Sequence, residues 1–177
     1  MDNVLINKMK GFTLIELIIY LAILVIILVL LSEFLWNIVL GSVKETANLE
    51  VQQNGRFTMA KISSEIKKAA GINYPQPGIS ADSLSLIMAD SQLNPTIFDV
   101  SAGKLRIARG TQGAYELTSD QVIVSNLRFA NLSYPNTPGT IKIEMTIDYK
   151  NPENRSAYQA SINLDSTVSL FSGGATP

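Results

Sequence analysis

An unbroken run of 15 apolar residues, Leu17 to Leu31, lies near the N-terminus of a 177-residue chain. A helix that is apolar on every face must be buried in a large core or in a bilayer. Extended back to Phe12, the run becomes 20 residues with one charge, Glu16. As a helix it spans about 30 Å, the thickness of bilayer hydrocarbon. Trp36 lies just beyond, where an amphipathic aromatic suits the interface. From Phe12 to Leu40, 24 of 29 residues are apolar, against 53 of 137 from Gly41 onward. The first stretch reads as a transmembrane helix and the second as an ordinary globular domain.

Lys8 and Lys10 precede the run in a short segment, so the positive-inside bias keeps that end cytoplasmic and sends the residues after Leu40 across the membrane. A removable secretory signal fits less well, because Ser32-Glu33-Phe34-Leu35-Trp36 offers no small-residue cleavage site after the run. The chain has no Cys and no His. That excludes disulfides, thiol nucleophiles, the usual triad base and nearly every zinc site. A formal charge of −1 argues against a dedicated nucleic-acid binder.

Glu16 demands an explanation, since a carboxylate within an apolar helix costs about 2.5–3.5 kcal/mol on insertion scales and normally faces a partner. No cation in the helix is near enough: Lys10 lies six residues earlier and far round the helix. Either Glu16 sits close enough to the headgroups to be hydrated, or a cation on another subunit meets it. The segment Lys8-Met9-Lys10-Gly11-Phe12-Thr13-Leu14-Ile15-Glu16-Leu17, running straight into the apolar stretch, resembles the processing signature of type IV prepilins and pseudopilins. The resemblance implies cleavage after Gly11 by a membrane peptidase, methylation of the new Phe12 amine by the same enzyme, and pairing of Glu16 with the N-terminal ammonium of an adjacent subunit. Such pairing offsets the desolvation of both charges, whereas either one alone is expensive. Losing residues 1–11, with Lys8, Lys10 and Asp2, leaves a formal charge of −2.

The helix is expected to continue beyond residues 12–40 through 41–71. No proline interrupts that region, and Val51, Gly55, Met59, Ile62, Ile66 and Ala69 form one stripe at helical spacing. Lys67 and Lys68 suit the last turn and Gly71 reads as a C-terminal cap. Phe57 falls off the stripe, and is either covered by a sheet or loop wrapping round the helix or in contact with a neighbouring subunit. Residues 72–177 change to period two. Thr140 to Tyr149 alternates strictly, and shorter strands are expected over Leu84–Met88, Ile97–Val100, Lys104–Ala108, Val122–Asn126, Leu127–Ser133, Tyr158–Leu164 and Thr167–Phe171. Their apolar faces need a cover, and the helical stripe is available. The expected fold is α+β, a long N-terminal helix packed against an antiparallel β-sheet domain, as in type IV pilins.

Leu49 to Ala70, with Gln52-Gln53-Asn54-Gly55-Arg56 leading into Ile62-Ser63-Ser64-Glu65-Ile66-Lys67-Lys68-Ala69, is similar to the second helical half of J-type minor pseudopilins of type II secretion and related minor pilins, and Val122 to Tyr149 is similar to their C-terminal half. The absence of Cys and of a proline in the apolar helix departs from many major pilins. The resemblance implies a minor, non-enzymatic subunit without cofactor, anchored in the inner membrane with its C-terminal domain extracytoplasmic. Its partners would be other pilins or pseudopilins, the prepilin peptidase and methyltransferase, and an inner-membrane assembly platform, while the formal charge of −2 argues against nucleic acid. A membrane-anchored extracytoplasmic enzyme or ligand-binding domain is the alternative. Three further groups carry polar side chains at spacings with a chemical reading. Ser64-Glu65-Ile66-Lys67 and Ser101-Ala102-Gly103-Lys104 match the S-x-x-K spacing of some hydrolases without its companion motifs. Asp148, Asn151, Glu153 and Asn154 supply oxygens of the kind calcium takes, or simply a solvated turn. Lys104, Arg106 and Arg109 make a small basic group, either a solvated face or an anionic-polymer contact.

Overall fold

The computed structural model describes residues 11, 13–135, 137–151, 153 and 155–171. Its contacts divide the chain into two units, Met1–Ser42 and Val43–Pro177. Helix α1 runs Leu14–Lys68. Thr13 caps its start: the Glu16 N–H donates to Thr13 Oγ1 at 3.3 Å and the Leu17 N–H to the Thr13 carbonyl at 3.2 Å. This is one half of a T-x-x-E capping box.

In the first unit every described residue from Leu17 to Ser42 is exposed, although the segment is overwhelmingly apolar. The helix is long and apolar enough to cross a membrane. Its few hydroxyls are satisfied within the helix, as a bilayer requires. Ser32 Oγ donates to the Leu28 carbonyl and Ser42 Oγ to that of Val39, both at 2.8 Å.

The second unit sets the remainder of α1 against two antiparallel sheets. β1 (Gly71–Tyr74), β3 (Leu84–Ile87), β4 (Thr96–Ser101), β5 (Lys104–Arg109) and β6 (Tyr115–Glu116) form a five-stranded sheet in that order. β2 (Ser80–Ala81), β7 (Val122–Asn131), β8 (Thr140–Tyr149) and β9 (Ser161–Ser169) form a four-stranded one. The core collects Val51, Ile62, Ile66 and Ala69 from the helix, Leu84, Leu86, Phe98, Leu105 and Ile107 from the first sheet, and Phe129, Ile141, Ile143, Met145 and Ile147 from the second. Gly55 lets the second sheet close on the helix, since a Cβ there would stand 2.7 Å from Leu164 Cδ1. Thr58, buried beside it, donates to the Asn54 carbonyl at 2.7 Å.

The α+β fold, the stripe and the ten-residue strand at Thr140–Tyr149 agree with expectation, while several boundaries do not. One expected sheet is two. Gly71 is the first residue of β1, paired with Ile87, and does not cap the helix, which ends at Lys68. The two strands expected over Val122–Asn126 and Leu127–Ser133 are one, β7, broken in register by a bulge between Val124 and Asn126. The extra residue, Ser125, moves the inward positions from Val122 and Val124 to Leu127 and Phe129, so the alternation changes phase inside one strand. Likewise Ser161–Ser169 is a single strand in which polar Ser166 takes an inward turn between Leu164 and Val168, and Tyr158 belongs to a short 3-10 turn, Ser156–Tyr158. β1, β2 and β6 have four, two and two residues, too few to show a period. Phe57 remains 55% exposed, so no described sheet or loop covers it.

Candidate functional site

The first candidate site is the start of the apolar helix. Gly11 is exposed, with open space where a side chain would stand. Lys8, Lys10 and Phe12 lie outside the described residues. Glu16 is partly covered while its apolar neighbours are exposed. The Tyr20 hydroxyl donates to Glu16 Oε1 at 3.1 Å. Sequence reasoning looked for a cation and missed this neutral donor. The i, i+4 spacing that puts both side chains on one face was the available signal.

The second unit holds a buried ionic cluster that its sequence did not advertise. Glu65 is only 3% exposed. Its Oε1 accepts from Arg109 Nη2 at 2.7 Å and lies 3.0 Å from Lys61 Nζ. Strand parity explains the first contact: Arg109 falls on the same face of β5 as buried Leu105 and Ile107, at the end of the strand. Burial alone would push the Glu65 carboxyl up, but the hydrogen bond from Lys61 and the charges of Arg109 and Lys61 together hold it below its ordinary value of 4.5. Asn54 ties the helix to the loop before β7, its Oδ1 accepting from the Ser119 N–H at 2.9 Å. These are structural contacts, joining helix to sheet through groups that burial would otherwise leave unpaired.

The remaining sequence candidates are engaged in local structure. In Ser64-Glu65-Ile66-Lys67 the acid is buried with Ile66, while Ser64 is half-buried and Lys67 is exposed. Ser101 and Lys104 pair across the β4–β5 hairpin, and Lys104 Nζ binds Asp120 Oδ1 at 2.8 Å. Arg106 makes a two-point contact with Asp99, at 2.9 and 2.6 Å. With Arg109 on Glu65, each cation of the basic group therefore has its own acid. Lys104 and Arg106 do share the outer face of β5. Around the turn after β8, Asn151 clasps both backbone groups of Arg155, accepting from its N–H at 3.0 Å and donating to its carbonyl at 2.8 Å. Glu153 pairs with the Arg155 guanidinium, Asp148 lies in β8 opposite Ser161, and Asn154 is outside the described residues. Among the described residues no three His, Cys, Asp or Glu side chains converge as a metal site would need. Tyr149 and Tyr158 stack nearby with centroids 6.1 Å apart, beside an open cleft of about 270 Å³.

Compared with known families, residues 6–32 match the model described as the prokaryotic N-terminal methylation motif. The match covers the segment around Gly11 and Glu16 and the start of the apolar helix. No curated protein and no solved structure matches the chain.

Proposed function

We propose that this chain, a type IV pilin-like protein carrying the prepilin methylation motif, serves as a minor structural subunit of a type IV pilus or type II secretion pseudopilus. The observation that carries the reading is the juxtaposition of that motif with a helix whose apolar side chains, from Leu17 to Leu40, are all exposed. Such a surface is stable only against lipid or against other helices. A subunit that is first inserted and later assembled meets both in turn.

In this mechanism the apolar helix inserts with residues 1–11 cytoplasmic and the domain after Ser42 extracytoplasmic. The peptidase cuts between Gly11 and Phe12 and the Phe12 amine is methylated. On extraction into the filament, Glu16 accepts the ammonium of an adjacent subunit, which fixes the axial register, and apolar packing of Leu17 to Leu40 holds the helices together. Phe57, exposed on the continuation of the helix, meets a neighbouring subunit. The working chemistry is one carboxylate and one amine, with no catalytic residue and no cofactor.

Mass spectrometry of the natively produced protein tests the processing steps, the expected product being a chain that begins at methylated Phe12. Gly11→Val should leave a heavier, membrane-retained precursor. Glu16→Ala should insert normally yet incorporate into filaments far less than the wild type; normal incorporation of that variant would remove the role assigned to the acid. A membrane-anchored enzyme or binding domain predicts instead an intact N-terminus and indifference to Glu16.

A further inference from the structure

Glu16 has a hydrogen-bond donor beside it on its own helix. In the run from Leu17 to Leu31 one side chain carries a hydrogen-bond donor, Tyr20, and its hydroxyl donates to Glu16 Oε1 at 3.1 Å. We infer that Tyr20 is the positioning residue for Glu16, holding Oε1 so that Oε2 is presented to the ammonium of the incoming subunit. The inference rests on the assembly reading above and adds a residue to it.

Helix geometry favours this arrangement. Side chains on a helix lean toward its N-terminus, so a residue at i+4 reaches back over residue i. Tyr20 therefore approaches Glu16 from its C-terminal side, toward the bilayer interior. A hydrogen bond to a carboxylate oxygen is stronger in a low-dielectric medium than in water. A phenol supplies the donor without adding a charge, so it competes neither with the ammonium for charge balance nor with the chain for insertion. It also confines the Glu16 rotamer before assembly, which reduces the ordering needed when the partner arrives.

The test uses the full chain in cells that assemble the filament, with Tyr20→Phe removing one hydroxyl and preserving the ring. Membrane-inserted and filament-incorporated pools are quantified separately. Incorporation should fall about three- to tenfold, the range of a single side-chain hydrogen bond in a membrane, with the inserted pool unchanged. A spectroscopic readout separates positioning from packing. The processed chain is reconstituted in phosphatidylethanolamine–phosphatidylglycerol vesicles, and infrared difference spectra against Glu16→Gln isolate the Glu16 carboxyl band. That band should shift in Tyr20→Phe. Unchanged or increased incorporation overturns the inference, and so does reduced incorporation with the band unmoved, since Tyr20 would then act through packing. If Tyr20→Phe assembles normally while Glu16→Ala does not, only the role of Tyr20 falls. If Glu16→Ala itself assembles normally, the assembly reading falls with it.

Discussion

Arg109→Met should destabilise the folded domain more than Glu65→Met, even though both remove the same ion pair. Glu65 is 3% exposed, whereas the side chains of Arg109 and Lys61 retain 25% and 32% of their surface. Removing one partner of a fully buried pair costs about 3–5 kcal/mol, because the remaining charge is stranded. In Arg109→Met the stranded group is the buried carboxylate, which keeps only the part-exposed Lys61, so a loss of about 2–3 kcal/mol is expected. In Glu65→Met the groups left behind are cations that can turn outward to water, and the loss should be at most about 1–2 kcal/mol. The double variant should lie closer to wild type than Arg109→Met does, as expected when an ion pair is replaced by apolar side chains of similar volume. Urea unfolding of the full chain in detergent micelles, followed by circular dichroism and by protease susceptibility, gives the comparison. The pH dependence has a definite sign. The folded-state carboxyl lies below 4.5, so its contribution is present above that value and is lost as pH falls through the folded value. Glu65 in Arg109→Met can relieve its burial by taking up a proton, so the gap between wild type and that variant should narrow in the same acidic window. Equal stability of Arg109→Met and wild type at neutral pH would refute the argument, as would a larger loss in Glu65→Met.

Gly55→Val should destabilise by about 1–3 kcal/mol through overpacking against Leu164 and Ile162, and Leu164→Ala should restore part of the loss in a double-mutant cycle. Gly110→Ala should lower the melting temperature, because the residue has φ +52° and an added Cβ would run into the Gln92 carbonyl oxygen. Asn54→Ala should cost about 1–3 kcal/mol by leaving the Ser119 N–H without its acceptor, and hydrogen exchange at that amide should speed up locally.

What the sequence conveyed and what it withheld follow from how each signal is encoded. The apolar helix is legible because its period-free hydrophobicity is a one-dimensional property that needs no partner in the chain. The stripe Val51, Ile62, Ile66, Ala69 and the strand Thr140–Tyr149 are legible because regular alternation survives without tertiary information. β7 was divided because a single inserted residue reverses the phase of the alternation, and a phase reversal looks like a strand end until the partner strand is seen to continue. The proposed working residues Gly11, Phe12 and Glu16 were visible in the sequence as a motif in fixed order. Tyr20 carries only its i, i+4 spacing from Glu16 as a signal, and within the run it counts as one more apolar residue until its hydroxyl is placed against the acid.

Sequence alone determined that the chain has an apolar segment able to cross a bilayer, a single acid within it, and a second region with the composition and period of an α+β domain. Those properties depend on which residues occur and at what spacing along one element. Tertiary structure alone decided that the strands form two sheets, that Glu65 is buried with Arg109 from a strand 44 residues away, and that the described domain leaves Phe57 exposed. The physical reason is common to all three. Burial and ion pairing depend on which elements meet in space, and local periodicity restricts that choice without making it.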